Sequence, residues 1–192
     1  MATLTKAAAP TLTYEAYMAE PETQGRYDIV NGVRIFQPEV TWRRQSVMLN
    51  VCGELSEYER ATGGHIVPSP FDIFIRREPL QIRQPDLLLI SHARLMAGGG
   101  PPKIGPLEIA PELVVEIISD SETQRILGDK IADYISIGVD ECWVVRPEER
   151  TVEVLRLMPN GPQSVGVFGE METFVSVVFP ALSVAALDIF AD

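Results

Sequence analysis

Cysteine, histidine and lysine are scarce in this sequence of 192 residues. It contains 2 cysteines and 2 histidines, and only three of its 16 basic residues are lysine. Two cysteines are too few for a disulfide framework and are not spaced like a zinc knuckle, so both are expected to be reduced, in a cytoplasmic protein. His65 and His92 lie too far apart in sequence to predict a metal site.

Long apolar runs are also missing. No run approaches the roughly 20 residues of a membrane-spanning helix, so no membrane association is expected. The first residues lack the apolar core of a secretory signal, and residues 1–12 are expected to form a loose leader. With 46% hydrophobic and 22% charged residues, the composition is that of an ordinary globular protein. The length suits one domain, residues 1–192, with a substantial core.

Basic residues are fewer than acidic ones overall, and they are unevenly distributed along the chain. The formal net charge is −11, which argues against indiscriminate nucleic-acid binding. Residues 26–94 hold nine arginines against eight acidic residues, whereas residues 95–192 hold six basic against sixteen acidic residues. A DNA-facing surface would therefore draw on the first half, where the candidates are Arg43, Arg44, Arg76, Arg77 and Arg83. A solvated surface explains the same arginines equally well.

The hydrophobic periodicity predicts an α/β fold built on a mixed sheet. Asn31-Gly32 supplies the positive φ angles of a two-residue turn, which predicts a hairpin over residues 26–36. Apolar residues at helical spacing predict helices over 13–18, 41–61 and 121–137. Strands are predicted over residues 65–68, 71–76, 82–90, 113–119, 141–145 and 151–157, with one or two edge strands within 165–178.

Two carboxylates interrupt apolar strands, where a charge is costly to bury. Asp86 opens the segment Pro85-Asp86-Leu87-Leu88-Leu89-Ile90, and Glu116 interrupts Leu113-Val114-Val115-Glu116-Ile117-Ile118. An uncompensated carboxylate in such a strand costs several kcal/mol, so a cation or a metal ion is expected beside each.

A lysine follows these strands on the apolar stripe of the third predicted helix, which contains Leu127, Lys130, Ile131 and Tyr134. Lys130 is therefore expected to point toward the sheet, while Asp129 and Asp133 face water. Carboxylates from neighbouring strands suit a hard cation such as Mg²⁺, and a nearby lysine can stabilise charge on a phosphate. The alternative is structural: backbone amides satisfy Asp86, an arginine pairs with Glu116, and Lys130 extends past the sheet edge.

These residues occur in an order that resembles a known family. The segments are residues 27–32, 84–87 and 111–119, then Lys130, Tyr134 and Gly138-Val139 on the helix, and residues 141–145. They are similar to the PD-(D/E)xK signature of the restriction-endonuclease-like superfamily and, more narrowly, to the Uma-two family of endonucleases. The resemblance implies a restriction-endonuclease-like core: a central mixed β-sheet flanked by helices, with an N-terminal β-hairpin and extra C-terminal strands.

The resemblance also implies roles for particular residues. Asp86 and Glu116 would be ligands of Mg²⁺ or Mn²⁺. The lysine of the signature belongs at position 118, where this chain has Ile118, and Lys130 of the following helix would replace it. Asp28 matches a position that usually holds glutamate and would add a third carboxylate. A histidine usual at the start of the long helix is replaced by Arg44 or Gln45.

The sequence therefore predicts a divalent-metal-dependent endonuclease that hydrolyses DNA phosphodiester bonds. Its catalytic residues would be Asp86, Glu116, Lys130 and Asp28, and a homodimer would allow two strands to be cut. Two alternatives stay open. One is a catalytically silent module of the same fold that binds a protein or nucleic-acid partner, and the other is a metal-dependent hydrolase of a small phosphorylated substrate.

Overall fold

The computed structural model describes residues 11–20, 25–38, 41–118 and 124–191. The helices are α1 (Tyr14–Ala19), α2 (Trp42–Thr62), α3 (His92–Ala97), α4 (Gln124–Ile137) and α5 (Ala186–Ile189). The strands are β1 (Tyr27–Val30), β2 (Val33–Phe36), β3 (His65–Pro68), β4 (Ile73–Arg76), β5 (Gln81–Arg83), β6 (Leu87–Ile90), β7 (Leu113–Ile117), β8 (Glu141–Arg146), β9 (Thr151–Met158), β10 (Gly161–Gly169), β11 (Thr173–Val175) and β12 (Ser183–Ala185). Most of the expected leader, the predicted end of the strand at residue 119 and the predicted helix start at residue 121 lie outside the described residues.

A six-stranded mixed sheet forms the centre of the molecule, in the order β10-β9-β8-β7-β6-β3. Strands β7 and β8 are parallel, whereas every other neighbouring pair is antiparallel. Strands β6, β7 and the first five residues of β8 are buried along their whole length, which explains why they read as continuous apolar runs rather than as alternating patterns. The predicted central mixed sheet is confirmed.

Helices cover both faces of this sheet. On one face α2 contributes Val47, Val51 and Leu55 to a core shared with β7 and β8. On the other face α4 contributes Leu127, Ile131 and Tyr134 to a second core. Each fully buried aliphatic side chain contributes roughly 1.5–3 kcal/mol, so the apolar stripes of the two helices are sufficient to hold them against the sheet. No helix within the described residues is long and apolar enough to span a membrane.

The predicted N-terminal hairpin is confirmed and belongs to a second sheet. Strands β1 and β2 turn through Asn31 and Gly32, whose φ angles are +51° and +76°. The hairpin joins β5 and β4 in a four-stranded antiparallel sheet of order β2-β1-β5-β4. This sheet contains Asp28 on β1, beside the point where the chain enters the central sheet.

The prediction of one strand over residues 82–90 is wrong, because the chain changes sheets within that segment. Strand β5 belongs to the four-stranded sheet and β6 to the central one. Between them, Pro85 has no N–H to donate to a ladder, and the chain bends at Asp86. Asp86 consequently lies at the junction of the two sheets instead of inside a strand.

The long helices agree closely with their predicted bounds. Helix α2 ends where Gly63 adopts a left-handed φ of +71°, and α4 ends before Gly138 at +91°. Helix α3 was not predicted, because six residues are too few to establish a period. The predicted C-terminal edge strands are β10, at the edge of the central sheet, and β11, which pairs with β12.

Candidate functional site

Glu116 lies in the middle of the molecule with two partners on α4. Lys130 Nζ is 2.5 Å from Glu116 Oε2, and the Tyr134 hydroxyl donates to Oε1. Glu116 is 0% exposed and Lys130 is 1% exposed. Because Lys130 and Tyr134 are four residues apart, they lie on one face of α4 and reach the same carboxylate. The prediction that Lys130 points toward the sheet is confirmed.

Asp86 is held by two arginines and one backbone amide. Arg44, in the first turn of α2, places Nη2 2.8 Å from Oδ2 and 3.0 Å from Oδ1. Arg26 Nη2 lies 2.6 Å from Oδ1, and the N–H of Ile117 donates to Oδ2 at 2.7 Å. Asp86 is 1% exposed, so this carboxylate exchanges its hydration for charged partners.

The two carboxylates come from the neighbouring segments β6 and β7: Asp86 lies just before β6, and Glu116 lies within β7. In the antiparallel pair β6–β7, Leu87 lies opposite Val115. Asp86 immediately precedes Leu87 and Glu116 immediately follows Val115, and the Ile117 amide donates to Asp86, which links the two segments at this point. The tertiary structure therefore pairs Lys130 with Glu116 and links Asp86 to Ile117, the residue after Glu116 in β7.

Asp28 belongs to a neighbouring network rather than to this group. Its carboxylate accepts from Arg83 Nη1 at 3.0 Å, from the N–H of Gln84 at 3.0 Å and from Gln37 Nε2 at 3.1 Å. Arg83 also pairs with Asp133 at 2.7 Å. The expectation that Asp133 faces water is therefore wrong, because Arg83 draws its carboxylate against the four-stranded sheet. Asp28 anchors the segment that leads to Asp86.

The arginines expected to face DNA divide into buried and exposed ones. Arg44 and Arg83 are 8% and 4% exposed and pair with Asp86 and Asp28. Their assignment to an exposed DNA-facing surface is wrong, because both neutralise buried carboxylates. Arg77 is exposed and pairs with Glu15, Arg76 bonds Asn31, and Arg43 bonds the Pro147 carbonyl.

The donor set at Asp86 and Glu116 fits a hard divalent cation that keeps part of its water shell. Carboxylate oxygens are ligands that Mg²⁺ prefers, and Mg²⁺ is commonly bound through one or two protein carboxylates. No group of three or more histidine, cysteine or acidic side chains forms a metal cluster among the residues that the structure describes. Among these described residues, a bound ion would draw on Asp86 and Glu116 together with water, and it would compete with Lys130, Arg26 and Arg44.

Burial and the charge of Glu116 keep the surrounding side chains neutral. The pKa of the Tyr134 hydroxyl is raised well above its usual value, first by burial and then by the Glu116 charge. Burial likewise raises the pKa of the Cys142 thiol, and Glu116 adds to the effect. Tyr134 is therefore a hydrogen-bond donor to Glu116 at any ordinary pH and is not a general base.

Tyrosine burial leads to a prediction about alkaline unfolding. Burial raises the pKa of Tyr27 to about 12 and that of Tyr134 further above its ordinary value of about 10. Because both folded pKa values exceed the unfolded ones, the protonated tyrosines stabilise the folded state. This stabilisation is complete below about pH 10 and falls as the pH rises to about 12. Phenolate absorbance and the loss of far-ultraviolet circular dichroism should rise together in that window.

The control for this titration is Tyr14→Phe, which removes a half-buried phenol outside the core. It should leave the alkaline transition in place, because the pKa of Tyr14 is raised first by its hydrogen bond to Glu108 and only second by burial. Full ionisation of the tyrosines with unchanged circular dichroism would contradict the prediction.

The sequence does not identify the partners of three side chains in this region. Tyr134 was placed on the apolar stripe, and its spacing from Lys130 was the available signal for a shared partner. Arg44 was assigned to the surface, although its position at the usual histidine of the family indicated a place near the site. Nothing in the sequence singles out Arg26.

A cavity of about 460 Å³ lies beside this region and is lined in part by Tyr17, Tyr27, Asp72 and Gln84. Gln84 joins the cavity to the site, since its N–H bonds Asp28 and its side chain bonds Asp72 at 2.6 Å. Of the described residues that line the cavity, none is one of the two candidate metal ligands. The cavity therefore adjoins the network of Asp28, and its described lining does not include the carboxylate pair.

Comparison with known proteins supports the same family as the sequence motifs. A crystal structure titled as that of "a putative nuclease belonging to DUF820 from Anabaena variabilis ATCC 29413" superposes with a TM-score of 0.76 at 18% identity. The match covers 94% of this chain and 98% of the other, so the two proteins share a fold. No match is found among curated proteins. The family model Uma2, described as "Putative restriction endonuclease", matches residues 13–188, and the chain belongs to this family.

Proposed function

We propose that this protein is a divalent-metal-dependent nuclease that hydrolyses DNA phosphodiester bonds, with Asp86 and Glu116 as the metal ligands. The observation that supports the proposal is the hydrogen bond from the Ile117 N–H to Asp86, which links this carboxylate to the residue next to Glu116, the partner of Lys130. Membership of a family described as a restriction endonuclease agrees with this chemistry. When bound, Mg²⁺ or Mn²⁺ would polarise the phosphodiester and lower the pKa of a coordinated water.

Lys130 and Asp28 have separate roles in the proposal. The ammonium of Lys130 holds Glu116 in place and provides positive charge where the pentacovalent phosphate develops negative charge. Asp28 acts as a positioning residue, because it fixes the Arg83–Gln84 segment two residues before Asp86.

The proposal is tested by calorimetric titration with Mg²⁺ and Mn²⁺ and by plasmid nicking in the same buffers. The wild type should bind metal and nick, and the Asp86→Asn, Glu116→Gln double variant should do neither. The matched control is Arg125→Gln, which removes an exposed ion pair with Asp129. Nicking that persists in EDTA, or equal metal affinity in wild type and double variant, would overturn the metal site.

One observation favours a second candidate, a catalytically silent module of the same fold. Asp86 and Glu116 are at most 1% exposed and each has a cationic partner, so their charges are compensated without metal. Such a module would bind a partner through another surface. A wild type that binds no metal and cuts neither plasmid nor a small phosphate ester would favour it over both hydrolases.

The cytoplasmic location and the homodimer are also part of the proposal. Cys52 and Cys142 are free thiols, which supports a reducing compartment. A dimer would supply a second site for the second strand of a duplex, and light scattering of the purified protein distinguishes it from a monomer.

A further inference from the structure

Two buried arginines at Asp86 carry more positive charge and more donors than this carboxylate satisfies. The side chains of Arg26 and Arg44 are 11% and 10% exposed. Within the described part of the chain, Nε of each arginine is buried and has no hydrogen-bond partner. Nη2 of Arg26 lies 2.6 Å from Asp86 but does not have hydrogen-bond geometry toward any acceptor.

Leaving such donors unsatisfied is unfavourable. A buried N–H without an acceptor costs roughly 1–3 kcal/mol, and more when the group is charged. Two guanidinium groups face one carboxylate here, so the cluster keeps a surplus of positive charge in a region with little water. A ligand with several acceptor oxygens and a negative charge would accept from the unsatisfied N–H donors and neutralise the surplus positive charge. The planar donor array of arginine matches a tetrahedral oxyanion better than lysine does.

We propose that Arg26 and Arg44 form an anion site for a phosphodiester group of the nucleic-acid substrate. The identity of this anion rests on the proposed nuclease function, whereas the existence of the site rests only on the two arginines. Arg26 enters from the start of β1 and Arg44 from the first turn of α2, so the two guanidinium groups reach Asp86 from different elements. A phosphate that takes over these donors leaves the Asp86 carboxylate available to a metal ion. The arginines thus position the phosphate beside the metal ligand.

The site is tested without metal, which separates it from the nuclease proposal. Sulfate is titrated calorimetrically into the protein in EDTA, against chloride of equal ionic strength. The wild type should bind one sulfate saturably. The Arg26→Gln, Arg44→Gln double variant should bind sulfate at least about tenfold more weakly, because it loses charged hydrogen bonds. The matched control is Arg125→Gln, which replaces an exposed arginine paired with Asp129 and should bind like the wild type.

The conservative variant Arg26→Lys keeps the charge and protects the test against misfolding of the double variant. It should still weaken sulfate binding, since a lysine lacks the planar donor array. An oligonucleotide of ten thymidines should compete with sulfate in the same buffer. Absence of saturable wild-type binding, or equal binding by wild type and arginine variants, would overturn the anion site.

Three further outcomes separate the sources of the anion and the two proposals. Sulfate binding that the oligonucleotide does not displace would overturn the assignment to a phosphodiester and indicate a small phosphorylated ligand. Saturable sulfate binding in a protein that neither binds metal nor nicks would overturn the nuclease while supporting the arginine site. Metal-dependent nicking without sulfate binding would overturn the arginine site while supporting the nuclease.

Discussion

Glu116→Gln and Asp86→Asn are each expected to reduce plasmid nicking by about 100-fold or more, the scale of removing one group that stabilises transition-state charge. Both substitutions preserve shape and remove the negative charge that a divalent cation requires. Metal affinity should fall in parallel, because each variant keeps only one of the two carboxylates. The rate of supercoiled-plasmid loss at saturating Mg²⁺, with calorimetry on the same samples, measures both effects.

The matched control is Glu141→Gln, which neutralises another fully buried glutamate on the neighbouring strand. Glu141 is 0% exposed and accepts from Ser176, from the N–H of Val178 and from Trp143, so it has structural partners only. It pairs in register with Leu113, three residues before Glu116. This variant should lose stability and keep its nicking rate. Equal nicking by all three single variants and the wild type would exclude Asp86 and Glu116 from catalysis.

Lys130→Met is expected to lower the free energy of unfolding by about 3 kcal/mol, because it removes the cation from a buried carboxylate. Methionine has nearly the length of lysine, so the loss of charge rather than of packing dominates. Tyr134 retains its hydrogen bond to Glu116 but supplies no compensating charge. Urea unfolding at neutral pH measures the change.

Two further variants make the stability test specific. Arg125→Ala breaks the exposed i,i+4 pair with Asp129 on the same helix and should change stability by less than about 0.5 kcal/mol. The Glu116→Gln, Lys130→Met double variant should be more stable than the sum of the two single losses, since neither charge remains. Full additivity, or a Lys130→Met protein as stable as the wild type, would mean that the pair contributes little to folding.

Both predictions depend on features that the sequence revealed to different degrees. The charges at positions 86, 116 and 130 were visible because each interrupts an apolar pattern of fixed period. The direction of Lys130 also followed, since residues three and four apart on a helix share a face. The Asn31-Gly32 turn and the Gly63 helix end were predicted because φ angles there are a local property.

The errors arose where the answer depends on contacts between distant segments. Residues 82–90 were predicted as one strand, because periodicity does not state which sheet a strand joins. Arg44 and Asp86 are 42 residues apart, and Arg83 and Asp133 are 50 apart, so no local signal indicates either pair. A sequence pattern predicts a surface position for an arginine, because only the tertiary structure shows which carboxylate it pairs with.

The sequence by itself determined the order and type of the main elements and the positions of the unusual charges. These follow from backbone preferences and side-chain periodicity, which act over a few residues. Only the tertiary structure decided that Lys130 and Tyr134 bond Glu116, that Arg26 and Arg44 bond Asp86, and that Asp28 holds Arg83. Ion pairs form between groups that folding brings within a few ångströms, so their partners depend on the packing of the whole chain.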